Sequence, residues 1–168
     1  MRRTQQSGQA TLEFVLAYGA VILPVTMMII FTAQMMWVWH TMSDFARQGA
    51  RYATTHCWQG SGDNVRSWMQ QNVPLTYDRD QFQNGPAQME VAYFARDPET
   101  GTLAEFTCDG GECTTGCVPD TVRVSITGYE FRGIFTYLGL PPLTMPDFQT
   151  TLSIESAGCS PDSEECLP

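Results

Sequence analysis

The chain contains no lysine and only two histidines in 168 residues, and just 16% of its residues are charged. Its formal net charge is −9, and its few arginines form no basic patch. Nucleic acids and anionic lipids bind to clusters of Lys and Arg, so the sequence argues against both as partners. The acidity is instead typical of a domain that is exposed to solvent.

Catalytic sequence motifs are missing as well. The chain has no Gly-x-Ser-x-Gly pattern, no phosphate-binding loop and no His-Glu-x-x-His pattern. The histidines are His40 and His56, and His56 directly precedes Cys57. Adjacent residues of a helix point about 100° apart, so the side chains of His56 and Cys57 diverge and are poorly placed to form a catalytic dyad. We therefore expect that the protein is not an enzyme.

Charged residues are also missing from one long apolar run, which extends from Phe14 to Trp39. A helix needs about 20 residues to span ~30 Å of hydrocarbon, so residues 14–39 predict a membrane span. Arg2 and Arg3 precede the run, and the positive-inside rule places the N-terminus in the cytoplasm and the remainder outside. No small-residue cleavage site follows the run, so we expect this helix to stay in the mature protein.

The position of Glu13, just before the apolar run, needs a physical reason. An ionised carboxylate inside hydrocarbon costs roughly 2.5–3.5 kcal/mol, and a position three residues upstream would avoid most of that cost. Glu13 lies five residues after Gly8. This Gly-x-x-x-x-Glu pattern, after a short basic leader and at the head of a membrane-length run, resembles the class III signal of type IV pilins and their relatives.

The resemblance implies that a prepilin peptidase removes residues 1–8 as a leader, cutting between Gly8 and Gln9. Glu13 would then be the fifth residue of the mature chain. Glu13 and Phe14 would take part in assembly and set the register between neighbouring subunits. In a polymer, Glu13 could pair with the new α-amino group of a neighbouring Gln9, and a buried charge pair sets register more than it adds net stability. Cleavage would take the net charge from −9 to −11. The alternative is an uncleaved signal anchor with Glu13 at the headgroup level.

Residues 9–57 are predicted as one long helix, because the helical pattern continues past the membrane run. Pro24 predicts a kink or local melting of this helix near Ala20–Pro24. Trp37, Trp39 and His40 either lie at the outer membrane interface or pack on the domain that follows.

Small residues recur at positions 46, 50 and 53, on one face of the second half of the helix. Such a face permits close approach of another element, and we predict that it is the seat of the head domain. Arg47 and Arg51 share the neighbouring face. The stretch Ala-Arg-Gln-Gly-Ala-Arg-Tyr-Ala at residues 46–53, placed just after a membrane helix, resembles the TadE family of pilin-like proteins. Members of that family belong to tight-adherence (type IVc) pilus systems.

Alternation of apolar and polar residues predicts strands at Gln88–Arg96 and Thr121–Thr127. Asp97–Gly101 predicts a turn from which Thr102–Cys108 returns as a hairpin, and Phe148–Glu155 predicts a last strand. The predicted fold class is therefore α+β, with a long N-terminal transmembrane helix and a small antiparallel β-sheet head. This plan is similar to that of type IV pilins.

Six cysteines follow the apolar run, on the side where the predicted topology places an oxidising compartment. An even number predicts disulfides, and the sequence does not choose among the pairings, although Cys159 and Cys166 could close a small C-terminal loop. We expect residues 58–168 to form a disulfide-stabilised head. The disulfide candidates are Cys57, Cys108, Cys113, Cys117, Cys159 and Cys166.

Metal binding is the alternative interpretation of this part of the chain. Cys108, Cys113 and Cys117 lack the paired two-residue spacing that is usual in zinc sites. Asp109 and Glu112 lie in a glycine-rich loop that could bind calcium, but the EF-hand spacing is absent. We expect neither a metal ion nor a cofactor.

These features together predict a structural subunit, a minor pilin or pseudopilin of a type IVc (Tad-like) pilus that contributes to pilus biogenesis, adhesion or secretion. The resemblance implies three partners: prepilin peptidase, other pilin subunits and an inner-membrane assembly platform. It also implies a single-pass inner-membrane protein with a periplasmic head, which becomes extracellular in the assembled pilus. A type II secretion pseudopilin is the closest structural alternative. An uncleaved, membrane-anchored periplasmic binding module is the alternative of a different class.

Overall fold

The computed structural model describes residues 6–59, 62–75, 79–108, 114–133, 136, 139, 141–154, 156–159 and 166. A long helix comes first and a small antiparallel sheet follows, which confirms the predicted α+β, pilin-like fold class. The chain divides into two compact units. One comprises Met1–Val38 and Arg132–Pro142, and the other comprises Trp39–Phe131 and Leu143–Pro168.

The N-terminal helix is interrupted by a short π-helical segment. Helix α1 covers Gln6–Ala17, the π segment covers Tyr18–Ile22, and helix α2 covers Leu23–Thr55. Pro24 explains the interruption, because proline has no N–H and its ring crowds the carbonyl four residues earlier. The N–H of Leu23 donates to the carbonyl of Tyr18, five residues back, which widens the turn. The irregularity therefore lies where the sequence predicts it, but the backbone stays helical and does not melt.

In the described part of the chain, two short helices and six strands follow. Helix α3 covers Asp63–Gln71 and helix α4 covers Arg79–Gln83. The main sheet is antiparallel throughout, in the order β2-β1-β3-β6. The strands are β1 (Gln88–Arg96), β2 (Leu103–Glu105), β3 (Thr121–Thr127), β4 (Glu130–Phe131), β5 (Leu143–Thr144) and β6 (Phe148–Ser153), with β4 and β5 forming a separate ladder.

The strand alternation sorts the sheet into a buried face and a solvent face. Strands β1 and β3 have the bounds that the sequence predicts. The apolar members of both strands are buried and their polar neighbours are more exposed. The buried members are Met89, Val91, Tyr93, Val122, Val124 and Ile126. The turn after β1 is fixed by Asp97, whose Oδ1 accepts the N–H groups of Glu99 and Thr100 at 2.8 and 3.1 Å.

The return strand β2 is shorter than the predicted hairpin arm at 102–108. It pairs with β1 only opposite Phe94–Arg96, and the N–H of Phe106 adds one bond to the carbonyl of Tyr93 at 2.9 Å. Beyond Phe106 the chain leaves the ladder at the disulfide-bonded Cys108. The short edge follows from that departure.

The small-residue face of α2 is fully buried in the head. Ala46, Ala50 and Ala53 are 0%, 0% and 1% exposed. A Cβ built on Gly49 would lie 2.5 Å from Sδ of Met69 on α3, so a side chain at this position would force the Met69 side chain to move. Arg47 on the neighbouring face is exposed. The prediction that this face seats the head is confirmed.

Aromatic pairs extend the same packing along the helix. The ring centroids of Phe45 and Phe82 lie 6.1 Å apart in an edge-to-face contact with α4. Tyr52 stacks on Trp68 of α3 with centroids 4.8 Å apart and on His56 at 3.8 Å. Offset stacking and edge-to-face geometry each add to the free energy gained by burying the rings. The second half of α2 therefore forms one side of the hydrophobic core of the head.

Enlarging the small-residue face should destabilise the head. We expect Ala50→Leu to lower the free energy of unfolding by ~1–3 kcal/mol, because a larger side chain must displace closely packed neighbours. The matched control is Arg47→Leu, on the exposed face of the same turn, which should stay within about 0.5 kcal/mol of the parent. Denaturant titration of the full chain in detergent, followed by near-UV circular dichroism, measures both. Equal effects of the two substitutions would contradict this packing.

The hydroxyl of Tyr93 is buried in the core and has no hydrogen-bond partner within the described part of the chain. Burial raises the pKa of Tyr93 to about 12, partly opposed by the positive charge of Arg66. The folded state therefore holds this proton more tightly than the unfolded chain, whose tyrosine pKa is about 10. The resulting stability is fully present below about pH 10 and is lost as the pH rises through 12.

Replacing Tyr93 should remove this part of the alkaline loss of stability. Between pH 9 and 11 the parent should lose about 1 kcal/mol more free energy of unfolding than Tyr93→Phe, which has no proton to release. At pH 7 the variant should be at least as stable as the parent, because it leaves no buried hydroxyl unsatisfied. Urea titrations across this pH range measure the difference, and parallel pH profiles for both proteins would refute the assignment.

Candidate membrane and assembly segment

The N-terminal helix exposes its apolar side chains instead of burying them. Over Gly8–Thr55 the most apolar 18-residue window has a mean hydropathy of 2.4, and 0% of that window is buried. By length and composition this helix can cross a membrane, and within the described residues it is the only such helix. A core helix of a globular domain would bury this surface. Leu12, Phe14, Val15, Leu16, Val21, Met28 and Ile29 are each more than half exposed.

Two threonine hydroxyl groups within the apolar run form hydrogen bonds to the backbone of their own helix. Oγ1 of Thr26 donates to the carbonyl of Ile22 at 2.8 Å, and Oγ1 of Thr32 donates to the carbonyl of Met28 at 2.9 Å. Unpaired polar groups are costly in hydrocarbon, and back-bonding to the preceding turn removes that cost. These two threonines therefore fit an apolar environment around the helix.

The structure brings two of the predicted signal residues, Gln9 and Glu13, onto one helix face. Gly8 and Gln9 are exposed in α1, and Nε2 of Gln9 donates to Oε1 of the exposed Glu13 at 3.2 Å. Residues four apart on a helix are neighbours, so any charge at Gln9 would lie near the carboxylate. Residues 1–5 of the predicted leader lie outside the described residues, and cleavage after Gly8 stays a prediction.

Phe14 has an aromatic partner that sequence reasoning missed. It is 67% exposed, and its ring stacks on Tyr18 with centroids 6.2 Å apart. The spacing of four residues between two aromatic side chains was the available signal. The pair forms an exposed aromatic patch that begins directly after Glu13.

Trp39 packs on the head, which decides one of the alternatives left open by the sequence. Its ring lies edge-to-face on Phe148 with centroids 4.9 Å apart. Trp37 stays 56% exposed and is available to an interface. The two tryptophans therefore differ in their surroundings, although they are only two residues apart.

The cysteines in the described part of the chain are disulfide-bonded. Cys108 bonds to Cys117, and Cys159 bonds to Cys166, which confirms the small C-terminal loop. Cys57 is also disulfide-bonded, and its sulfur lies within 4.8 Å of the sulfurs of Cys159 and Cys166. A zinc site needs thiolates, which disulfide sulfurs are not. Cys113, Asp109 and Glu112, and with them the calcium hypothesis, lie outside the described residues.

The comparison with known families agrees with this geometry. Residues 8–51 match the family model described as TadE-like protein. The N-terminal helix is TadE-like. The match begins at Gly8 and ends inside the small-residue face, so it covers the exposed apolar run and most of the face that seats the head. It confirms the resemblance to the TadE family over this part of the chain. No curated protein and no solved structure matches the chain.

Proposed function

We propose that this protein is a structural subunit, a minor pilin or pseudopilin, of a tight-adherence (type IVc) pilus. The observation that carries the proposal is the TadE-like match over a helix whose apolar side chains are exposed. An apolar surface of this length needs lipid or other apolar helices around it. A pilin supplies both environments in turn, first in the membrane and then in the filament core. The role is structural, and we propose no enzymatic activity.

Processing by a prepilin peptidase is the first step of the proposed mechanism. Cleavage between Gly8 and Gln9 removes the leader arginines and creates an α-amino group one helical turn before Glu13. The side-chain contact of Gln9 with Glu13 supports this step, because it shows that the two residues share a face. Within one subunit, amine and carboxylate then partly compensate each other's charge.

Assembly is the second step. The helix leaves the inner membrane and packs among neighbouring helices, while Glu13 pairs with the amine of an adjacent subunit and sets the register. Thr26 and Thr32 need no new partners during this transfer, because their hydroxyls are already bonded within the helix. The acidic head stays outside, in the periplasm before assembly and on the filament afterwards. The prepilin peptidase, other pilins and the assembly platform are the proposed partners.

Processing can be tested on the intact chain. We expect the mature protein to begin at Gln9 when it is expressed with a prepilin peptidase and at Met1 when it is expressed alone. Intact mass and N-terminal sequencing distinguish the two forms. A chain that begins at Met1 in both cases would favour an uncleaved membrane-anchored binding module.

A glycine pair supplies the matched control for the cleavage site. A Cβ on Gly8 or on Gly19 meets no atom within 4 Å, so neither substitution to alanine disturbs the packing of the helix. We expect Gly8→Ala to slow or abolish cleavage and Gly19→Ala to be cleaved like the parent. Equal cleavage of both variants would place the processing site elsewhere.

The register role of Glu13 can be separated from processing. We expect Glu13→Ala to be processed and inserted, but to be at least tenfold less abundant in sheared filaments, which corresponds to a loss of ~1.4 kcal/mol or more. The charge-retaining Glu13→Asp should recover much of the incorporation. Immunoblots of membrane and filament fractions give both readouts, and normal incorporation of the alanine variant would count against the charge pair.

A further inference from the structure

Three cysteine sulfurs meet in one cluster at the end of α2. The Sγ atoms of Cys57, Cys159 and Cys166 all lie within 4.8 Å of one another. Cys159 and Cys166 are bonded to each other, and Cys57 belongs to a separate disulfide. Disulfides exchange partners when a thiolate attacks one of their sulfurs. Opening of the Cys159–Cys166 bond therefore places a free thiol beside the disulfide of Cys57.

Backbone packing holds the C-terminal segment against the end of α2, next to Cys57. A Cβ built on Gly158 would lie 2.4 Å from the carbonyl oxygen of Thr55, the last residue of α2. Gly158 has a φ of +71°, so glycine serves both the close approach and the turn. The preceding Ala157 is 1% exposed. This packing adds to the disulfide in keeping Cys159 beside Cys57.

The three sulfurs differ in their access to solvent. Cys57 is 0% exposed and Cys159 is 8% exposed, whereas Cys166 is partly exposed. The rate of exchange depends on which sulfur a dissolved thiol can reach. Cys166 is therefore the entry point of the cluster, and the sulfur of Cys57 is reached from Cys159.

We propose that Cys57, Cys159 and Cys166 form a thiol–disulfide exchange site that a dithiol reductant opens at Cys166. One thiolate of the dithiol attacks Sγ of Cys166, and Cys159 leaves as a thiolate. The second thiol of the dithiol then displaces Cys166, so the dithiol becomes a disulfide and has supplied two electrons.

The second stage takes place within the protein. The thiolate of Cys159 attacks Sγ of Cys57, a Cys57–Cys159 bond forms, and the sulfur formerly bonded to Cys57 leaves as a thiolate and takes up a proton. The net result is one protein disulfide fewer and two new thiols, one of them on Cys166. A link within the C-terminal segment is thereby replaced by a link from that segment to the end of α2. The inference is independent of cleavage at Gly8 and of pilus assembly.

Limited reduction of the folded full chain in detergent with dithiothreitol tests the exchange without any substitution. Acid quenching, maleimide labelling in denaturant and non-reducing peptide mapping by mass spectrometry identify the bonds. We expect a Cys57–Cys159 link to accumulate together with labelled Cys166. Its yield should be at least tenfold above that of Cys57 linked to Cys108 or Cys117, which are bonded to each other and are not members of the cluster. Loss of the Cys159–Cys166 bond while Cys57 keeps its original disulfide would overturn the proposal.

A pair of serine variants tests the second stage alone. Cys166→Ser leaves Cys159 as a free thiol inside the cluster, so we expect the Cys57–Cys159 link to form without a reductant at mildly alkaline pH, where the thiolate is populated. The matched control Cys117→Ser leaves Cys108 free outside the cluster and should keep the original disulfide of Cys57. Near-UV circular dichroism checks that both variants fold, and the reduction of the parent decides the question if one does not. A folded Cys166→Ser chain whose free thiol stays on Cys159, or equal rearrangement of both variants, would contradict the exchange site.

Discussion

Close packing against the small-residue face of α2 is the contact on which the head depends. Alanine at 46, 50 and 53 and glycine at 49 let α3 approach the helix so closely that Met69 lies where a side chain at 49 would be. A head of this size buries a modest fraction of its surface, so it depends on each well-packed contact. The sheet contributes its buried face to the same core. The disulfides then restrict the loops that they close.

The first half of the same helix has the opposite requirement. There its apolar side chains are exposed, and its threonines bond within the helix. Pro24 is accommodated by the π segment without a break, so the helix stays continuous from the signal residues into the head. One element therefore connects an exposed apolar surface to a folded domain. The TadE-like match covers both requirements, because it runs from Gly8 to residue 51.

Much of this fold was predictable because local chemistry decides it. The bounds of β1 and β3 follow from strict alternation, and the turn at Asp97–Gly101 follows from a side chain that caps its own loop. The buried helix face follows from the spacing of small residues. The pairing of Cys108 with Cys117 was not predictable, because three cysteines lie within ten residues and the choice depends on the path of the loop. The packing of Trp39 on the head was not predictable either, because its partner Phe148 lies more than a hundred residues away in sequence.

The two outer strands of the sheet differ from each other, and both lie beyond the TadE-like helix. The family match ends before the sheet begins, so strands β2 and β6 and the disulfides lie in the part of the chain that the match does not cover. Net charge gives general repulsion between copies, but it acts over a Debye length of about 8 Å and does not protect a particular strand. Protection of an edge needs a charge, a proline or a bulge on that strand, and β2 has a charge where β6 has none. Charge therefore protects the outer strand β2 through Glu105, whereas the acidic residues nearest to β6, Asp147 and Glu155, lie just before and after that strand in the sequence.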